Sequence, residues 1–288
     1  MQFAPECVPC LLHRVLYEVK LVSPGAVEEA MAESLRILSL NYPKGMNSAK
    51  LATMVHERAY AVSGSKDPYC DLKIRSDEVA KSLLPQAESL VREAEDPLEM
   101  AVKVAIAGNV LDFGIDVGME HPEELRSRFD KLVHQDLGIN HLPKAKRLLR
   151  PGMEIAYLLD NCGESVLDSI LINELKAQGA RVFGVVKGEP ILTDVTMEDA
   201  LRIGLDKCLD EILSTRSFAV GIDLDKIPHE LMARLEDSDL IVSKGMANLE
   251  SLSDENLGPI LYLLRVKCDP VARLLGAKRN WNIAKLCE

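Results

Sequence analysis

The sequence predicts an α/β protein in two parts: an all-helical segment over residues 1–150 and a doubly wound, mainly parallel sheet over residues 151–288. Three observations predict it. Apolar residues recur at three- and four-residue spacing from residue 8 to about 150, with no convincing strand among them. Beyond Arg150-Pro151-Gly152 short apolar runs alternate with helical segments, the pattern of parallel βαβ units. The apolar run Ile155–Leu159 stops abruptly at Asp160-Asn161, followed by Gly163 and a helical segment, as the first strand of a parallel sheet does.

In chain order, the helical segments of the first part are 8–22, 25–41, 47–62, 67–83, 84–93, 96–107 and 121–135. Ser23-Pro24-Gly25, Pro43, Asp67-Pro68 and Asp96-Pro97 punctuate them, with proline at or near the first turn where its missing N–H costs least. In the second part the predicted strands are 153–160, 181–187, 209–213, 239–243 and 260–266. Helices are predicted at 164–178, 196–205, 227–236, 246–252 and 269–276. Two stretches of the first part have double readings. Ala107–Gly114 reads either as a helix C-terminus with a turn-forming Asn109 or as a loop that brings Asn109 and Asp112 to a cleft. Asp67–Lys73 reads as a proline-started helix that could present Lys73 or Arg75.

A net charge of −11, without a Lys/Arg block and with only five Phe and one Trp, argues against a nucleic-acid surface. Small anionic substrates are compatible with it, because a bound metal or two placed lysines reverse the local field. No apolar run approaches the roughly 18–20 residues of a membrane span, and the start M-Q-F-A-P-E-C lacks the basic and apolar regions of a signal peptide. A cytoplasmic protein is expected. Seven scattered cysteines do not resemble a disulfide framework. Cys7 and Cys10 form a lone C-x-x-C, read as half a metal site, a redox pair or two buried thiols of a first helix.

Ligands of open parallel sheets bind outside the carboxyl ends of the strands, so polar groups at those ends carry the functional reading. The first delivers Asp160 and Asn161, with Glu164 and Asp168 one and two turns into the next helix. The second delivers Lys187, then Asp194 and Thr196; the fourth delivers Lys244, then Asn248. Capping explains Asn161 and Glu164 but not Asp160, because an acid ending a buried strand is costly without a partner. Asp194 and Thr196 serve equally as helix caps or, for Asp194, as a ligand. Asp160, Asn161 and Asp194 are oxygen donors suited to a hard cation such as Mg²⁺ or Mn²⁺. Lys187 and Lys244 each precede a glycine, which lets backbone approach a ligand closely, and would act as point charges on phosphate oxygens.

That set suits phosphoryl transfer to water, with Lys244 neutralising charge and Glu164 orienting or deprotonating the water. Attack by Asp160 itself is disfavoured, since Asn161-Cys162 follows it rather than a D-x-D pattern. Walker, G-x-G-x-x-G and G-x-S-x-G motifs are absent, and Cys162 has no histidine near in sequence to activate it. Two other classes stay open, a non-catalytic metabolite- or nucleotide-binding module and an S-adenosylmethionine-dependent carboxyl methyltransferase, the latter discounted for want of a glycine-rich loop.

D-N-C-G-E-S-V-L-D at 160–168, V-K-G-E-P-I-L-T-D-V-T at 186–196 and S-K-G-M-A-N-L-E-S at 243–251 resemble the metal-dependent damage-control phosphatases. That family was long called domain of unknown function 89 and is also described as acidic-residue-methyltransferase-like. D-P-Y at 67–69, G-N-V-L-D-F-G at 108–114 and K-C-D-P-V-A-R at 267–273 extend the resemblance, and C-V-P-C at 7–10 resembles its prokaryotic and archaeal branch. The resemblance implies a helical part packed on an α/β/α sandwich and a divalent metal (Mg²⁺, Mn²⁺, Co²⁺ or Ni²⁺) on Asp160, Asn161 and Asp194. It also implies Lys244 and Asn109 in a phosphate pocket with Lys187 beside it, and a small phosphorylated metabolite as substrate. Asn248, delivered by the same strand end as Lys244, is the remaining candidate contact to substrate.

Overall fold

The computed structural model describes residues 1–42, 45–114 and 119–288; the turn signal at Pro43 lies outside them. Before the sheet come α1 (Cys7–Val22), α2 (Val27–Asn41), α3 (Ser48–Ser63), α4 (Cys70–Glu93), α5 (Pro97–Ala107) and α6 (Glu124–Val133). The sheet region comprises β1 (Leu137–Asn140), α7 (Leu142–Leu148), β2 (Glu154–Leu158), α8 (Glu164–Ala177), β3 (Arg181–Val186), α9 (Met197–Ile203) and β4 (Glu211–Ser214). It closes with α10 (His229–Glu236), β5 (Leu240–Lys244), α11 (Gly245–Leu252), β6 (Ile260–Arg265), α12 (Asp269–Leu275) and β7 (Asn282–Cys287).

The sheet order is β1-β7-β6-β5-β2-β3-β4. Strands β6, β5, β2, β3 and β4 run parallel, whereas β7 returns antiparallel beside β6 and pairs in parallel with β1. The chain moves from β2 outward through β3 to β4, then crosses back to β5 on the other side of β2. The crevice between the carboxyl ends of β2 and β5 is therefore the topological switch point, where such sheets bind ligands.

The central strand shows why the sheet is covered on both faces. Ile155 and Tyr157 enter one apolar cluster with residues of α4, α5 and α8, while Ala156 and Leu158 enter another with residues of α10, α11 and α12. The two-residue period thus buries opposite sides of β2 under different helices. Helices α4 and α5 lie over α8 and share its core, while α1–α3 gather a smaller cluster of their own around Val15, Leu51 and Val55. Among the described residues no helix is long and apolar enough to cross a membrane.

Three differences from the sequence reading have local causes. The expectation of no strand before residue 150 is corrected by β1, whose four residues are alternately half-buried and exposed at the sheet edge and so carry no apolar run. β7, paired on both sides between β1 and β6, is a further strand that the pattern does not predict; its polar Asn282 and Lys285 interrupt the apolar run. The predicted break between residues 83 and 84 is absent, because α4 runs through Pro85 as one 24-residue helix with that proline exposed to solvent.

An interior proline removes one i→i−4 bond and crowds the preceding turn. Pro85→Ala is therefore expected to stabilise the protein by roughly 2 kcal/mol, after allowing for the greater freedom of the unfolded chain. Urea unfolding measures this, and an unchanged or lower midpoint would show that the helix has already absorbed the proline without cost.

Candidate functional site

Beyond β2 the chain turns at Asp160-Asn161 and enters α8 at Glu164. The loop after β3 comes back alongside this turn, so that Asn161 pairs antiparallel with Asp194 and Val195 N–H donates to the Asp160 carbonyl at 2.9 Å. That return is held from the helical part, where the Tyr60 hydroxyl accepts from Leu192 N–H at 2.9 Å. Asp160, Asn161 and Asp194 thus meet on one wall, although they come from two strand ends.

Behind them lies a buried polar network. Asn109 Nδ2 donates to Asp160 Oδ2 at 3.1 Å and Glu164 Oε2 at 2.8 Å, and Asn161 Nδ2 donates to the same two oxygens at 2.7 and 2.9 Å. Lys244 Nζ donates to Glu164 Oε1 at 2.6 Å, Asp168 Oδ1 at 2.7 Å and the Ala105 carbonyl at 2.9 Å. Tyr157 OH donates to Asp168 Oδ1 at 2.8 Å. An ammonium has three protons, so Lys244 has none left for a substrate.

The structure places the other candidate site residues as follows. Lys244 and Glu164, both 0 % exposed, stand behind the wall, hydrogen-bonded to each other. Asn109 is equally enclosed: its Oδ1 accepts from Arg265 N–H at 3.1 Å. Asn248 Nδ2 donates to the carbonyls of Leu159 and Lys244, tying α11 to the end of β2. Lys187 lies 3.4 Å from Asp194 Oδ2 and also donates to the Gly221 carbonyl. The glycines after the two lysines admit protein, not ligand. A Cβ on Gly245, whose φ is +77°, would sit 1.8 Å from Asp160 Oδ2, and one on Gly188 would sit 2.2 Å from the Ser217 backbone nitrogen. Lys73 and Arg75 are structural, paired with Asp67 and Asp199 and with Glu123.

The front of the wall opens on a cavity of about 560 Å³ lined by Asp160, Asn161 and Asp194. Lys267, Arg14 and Asp112 line it too, as do the apolar Phe3, Leu11, Leu192 and Met246. Arg14 lies 2.8 Å from Asp112 Oδ1 and Lys267 lies 2.9 Å from Asp112 Oδ2. Two cations sharing one carboxylate leave that cluster itself with one net positive charge. Sequence reasoning missed Lys267 as a site residue, although it comes just after β6, much as Lys187 comes just after β3 and Lys244 ends β5. Arg14 had no such signal, since it is one of three charged residues on an amphipathic helix. Cys7, Cys10 and Cys268 line the cavity as well; Cys7 is half-buried and Cys10 is exposed, so the reading of two buried thiols does not hold.

Electrostatics divide the cavity into an acidic and a basic side. Burial, reinforced by Glu164 and Asp194, pushes the Asp160 carboxyl well above the usual carboxylate range, with Lys267 opposing. Burial also raises Asp194, against the pull of Lys187. Asp168 is pushed up to about 6 by burial, with Lys244 opposing and Glu164 adding to it. Asp112 behaves in the opposite way: burial disfavours its charge, yet Arg14 and Lys267 together hold it below the usual range. Asp160 Oδ1 has no hydrogen-bond partner among the described residues, and no lysine or arginine among them forms an ion pair with that carboxylate. A buried acid so placed fits a cation, and the donors are oxygens, as a hard cation requires. Among the described residues no three His, Cys, Asp or Glu side chains are grouped to hold a metal, so the Asn161 amide, water or substrate would complete the ligands.

Comparison with known proteins agrees with this architecture. The model of the damage-control phosphatase ARMT1-like domain matches residues 3–283. A damage-control phosphatase of Archaeoglobus fulgidus is 41% identical over 290 residues, covering all of both chains. One of Pyrococcus horikoshii is 31% identical over 97% of this chain and 96% of its own. The crystal structure of a DUF89 family protein from Pyrococcus horikoshii superposes with a TM-score of 0.87 at 30% identity, covering 99% of this chain and 98% of that one.

Removing the cation at the centre of the buried network would strand two carboxylates. Lys244→Met is expected to cost roughly 3–5 kcal/mol, read as a lower urea midpoint; a cost below about 1 kcal/mol, the range of exposed pairs, would contradict the network's role.

Proposed function

Because the chain belongs to the damage-control phosphatase ARMT1-like domain family, we propose that it is a metal-dependent phosphomonoesterase that hydrolyses small phosphorylated metabolites with water as nucleophile. The observation that carries this reading is the shared cavity, in which an acidic wall of Asp160, Asn161 and Asp194 faces the paired cations Arg14 and Lys267. The acidic wall would hold a divalent cation, Mg²⁺ or Mn²⁺ by donor type, with Co²⁺ and Ni²⁺ as further candidates. Such a cation supplies Lewis acidity to the phosphoryl group and makes an attacking water more acidic.

The remaining work falls to the chain's own side chains. Lys267 and Arg14 meet the phosphoryl oxygens and neutralise the charge that grows on them as the ester bond breaks. Asp112 fixes those two cations in place. Glu164, Asn109 and Lys244 hold the Asp160 carboxylate and the Asn161 amide in one orientation, so that little reorganisation accompanies binding. The apolar side of the cavity accepts the organic part of the ester.

The expected result is hydrolysis of p-nitrophenyl phosphate that stops on chelation and returns with Mg²⁺ or Mn²⁺, with the diester bis(p-nitrophenyl) phosphate resistant. Asp160→Ala and Asp194→Ala should each lower kcat/KM by about 10³-fold or more, and Lys267→Ala by roughly 10–100-fold. Retention of most activity in either aspartate variant would refute the site. A panel of phosphometabolites assayed with several divalent metals would then identify the substrate.

A further inference from the structure

A second buried constellation borders the same cavity. His56, on α3, is 1 % exposed and lines the cavity. Its Nδ1 lies 2.8 Å from Oε1 of Glu18, on α1, and that glutamate is fully buried. Glu18 Oε2 is buried without a hydrogen-bond partner, and His56 Nε2 has none among the described residues. A histidine serving only to satisfy the packing of α1 against α3 would have both ring nitrogens paired or one in bulk water. Here one nitrogen is fixed by a carboxylate and the other is left at the edge of the cavity. A carboxylate on Nδ1 keeps the proton of the neutral ring on that nitrogen and leaves Nε2 to exchange protons with whatever occupies the cavity.

We propose that His56, oriented by Glu18, donates the proton to the leaving-group oxygen of the substrate ester. The inference rests on the phosphomonoesterase reading and deepens it. Its position supports the role. Tyr60 lies one turn along α3 from His56, edge-on at 6.5 Å between ring centroids, and its hydroxyl accepts from Leu192 in the loop that carries Asp194. The same helix thus holds His56 at the cavity and fastens part of the acidic wall. On α1, Arg14 precedes Glu18 by one turn and also lines the cavity. A phosphoryl group held between Arg14, Lys267 and the acidic wall would leave its ester oxygen free to face α3.

In the step itself, the water oxygen bonds to phosphorus as the P–O(R) bond breaks. The ring enters this step as the imidazolium, protonated on both nitrogens. The electron pair of the P–O(R) bond stays on the departing oxygen, which takes the Nε2 proton and leaves as the alcohol, and the ring is left neutral with its proton on Nδ1. One water proton remains on the product phosphate and the other passes to solvent, from which His56 regains its own. An alkoxide is a strong base and needs that proton, whereas a nitrophenolate needs it far less. Leaving-group dependence therefore separates proton donation from a packing role.

The test compares kcat/KM on glycerol 2-phosphate and on p-nitrophenyl phosphate with Mg²⁺ or Mn²⁺ present. His56→Asn should lose about 10²-fold more on the alkyl ester than on the aryl ester, and Glu18→Gln should show the same bias at smaller size. Equal losses on both esters, or no loss on the alkyl ester, would overturn the inference. Should either variant fail to fold, the wild-type protein still decides: its rates across a series of alkyl and aryl esters should vary little with leaving-group basicity, and a steep decline would overturn the role. Wild-type protein inert toward every ester would instead remove the phosphatase reading, and this inference with it.

Discussion

The shared ammonium of Lys244 is the interaction on which the rest of the site depends. It stands at the end of β5, reaches across the switch point and compensates Glu164 and Asp168 on the helix that follows β2. Burial works against its charge, but Asp168 and Glu164 together hold its pKa above the usual lysine value. A buried ion cluster of this kind adds little net stability compared with an apolar core of the same volume. What it supplies is register: β2, β5 and α8 come together in the one arrangement that leaves neither of those two acids unpaired. Glu164 then passes that order forward, because the amides of Asn109 and Asn161 each bridge it to Asp160.

The cavity belongs to both parts of the chain. The sheet contributes the acidic wall and Lys267, while α1 and α3 contribute Arg14 and His56 and the segment after α5 contributes Asp112. An apolar cluster that includes Ala49, Val104, Ile155 and Leu263 joins the two parts. The sequence division at residue 150 follows the change from helical to alternating periodicity, yet β1 already lies in the sheet before it.

How much of this is legible in the sequence follows from which signals are local. The central strands are legible because each is a short apolar run ended by a polar residue. The switch-point acid Asp160 is legible because a carboxylate at the end of a buried strand is costly unless something pairs with it. The family is legible from ordered motifs such as D-N-C-G-E-S-V-L-D and S-K-G-M-A-N-L-E-S. β1 and β7 escape, since half-exposed residues in the first and polar ones in the second blur the period. Roles within the site escape for a different reason. Periodicity places Lys244 at a strand end but cannot say whether its ammonium turns outward to a ligand or inward to Asp168. Likewise nothing local marks His56 and Glu18, 38 residues apart, as partners; only the packing of α1 on α3 brings them together.

The hydrogen bond from Leu192 N–H to the Tyr60 hydroxyl has a mechanical consequence. It ties α3, which carries His56, to the loop that carries Asp194, so the helical and sheet sides of the chamber share a direct polar link. Drawing α3 away from that loop would break it, at a cost of about 1 kcal/mol.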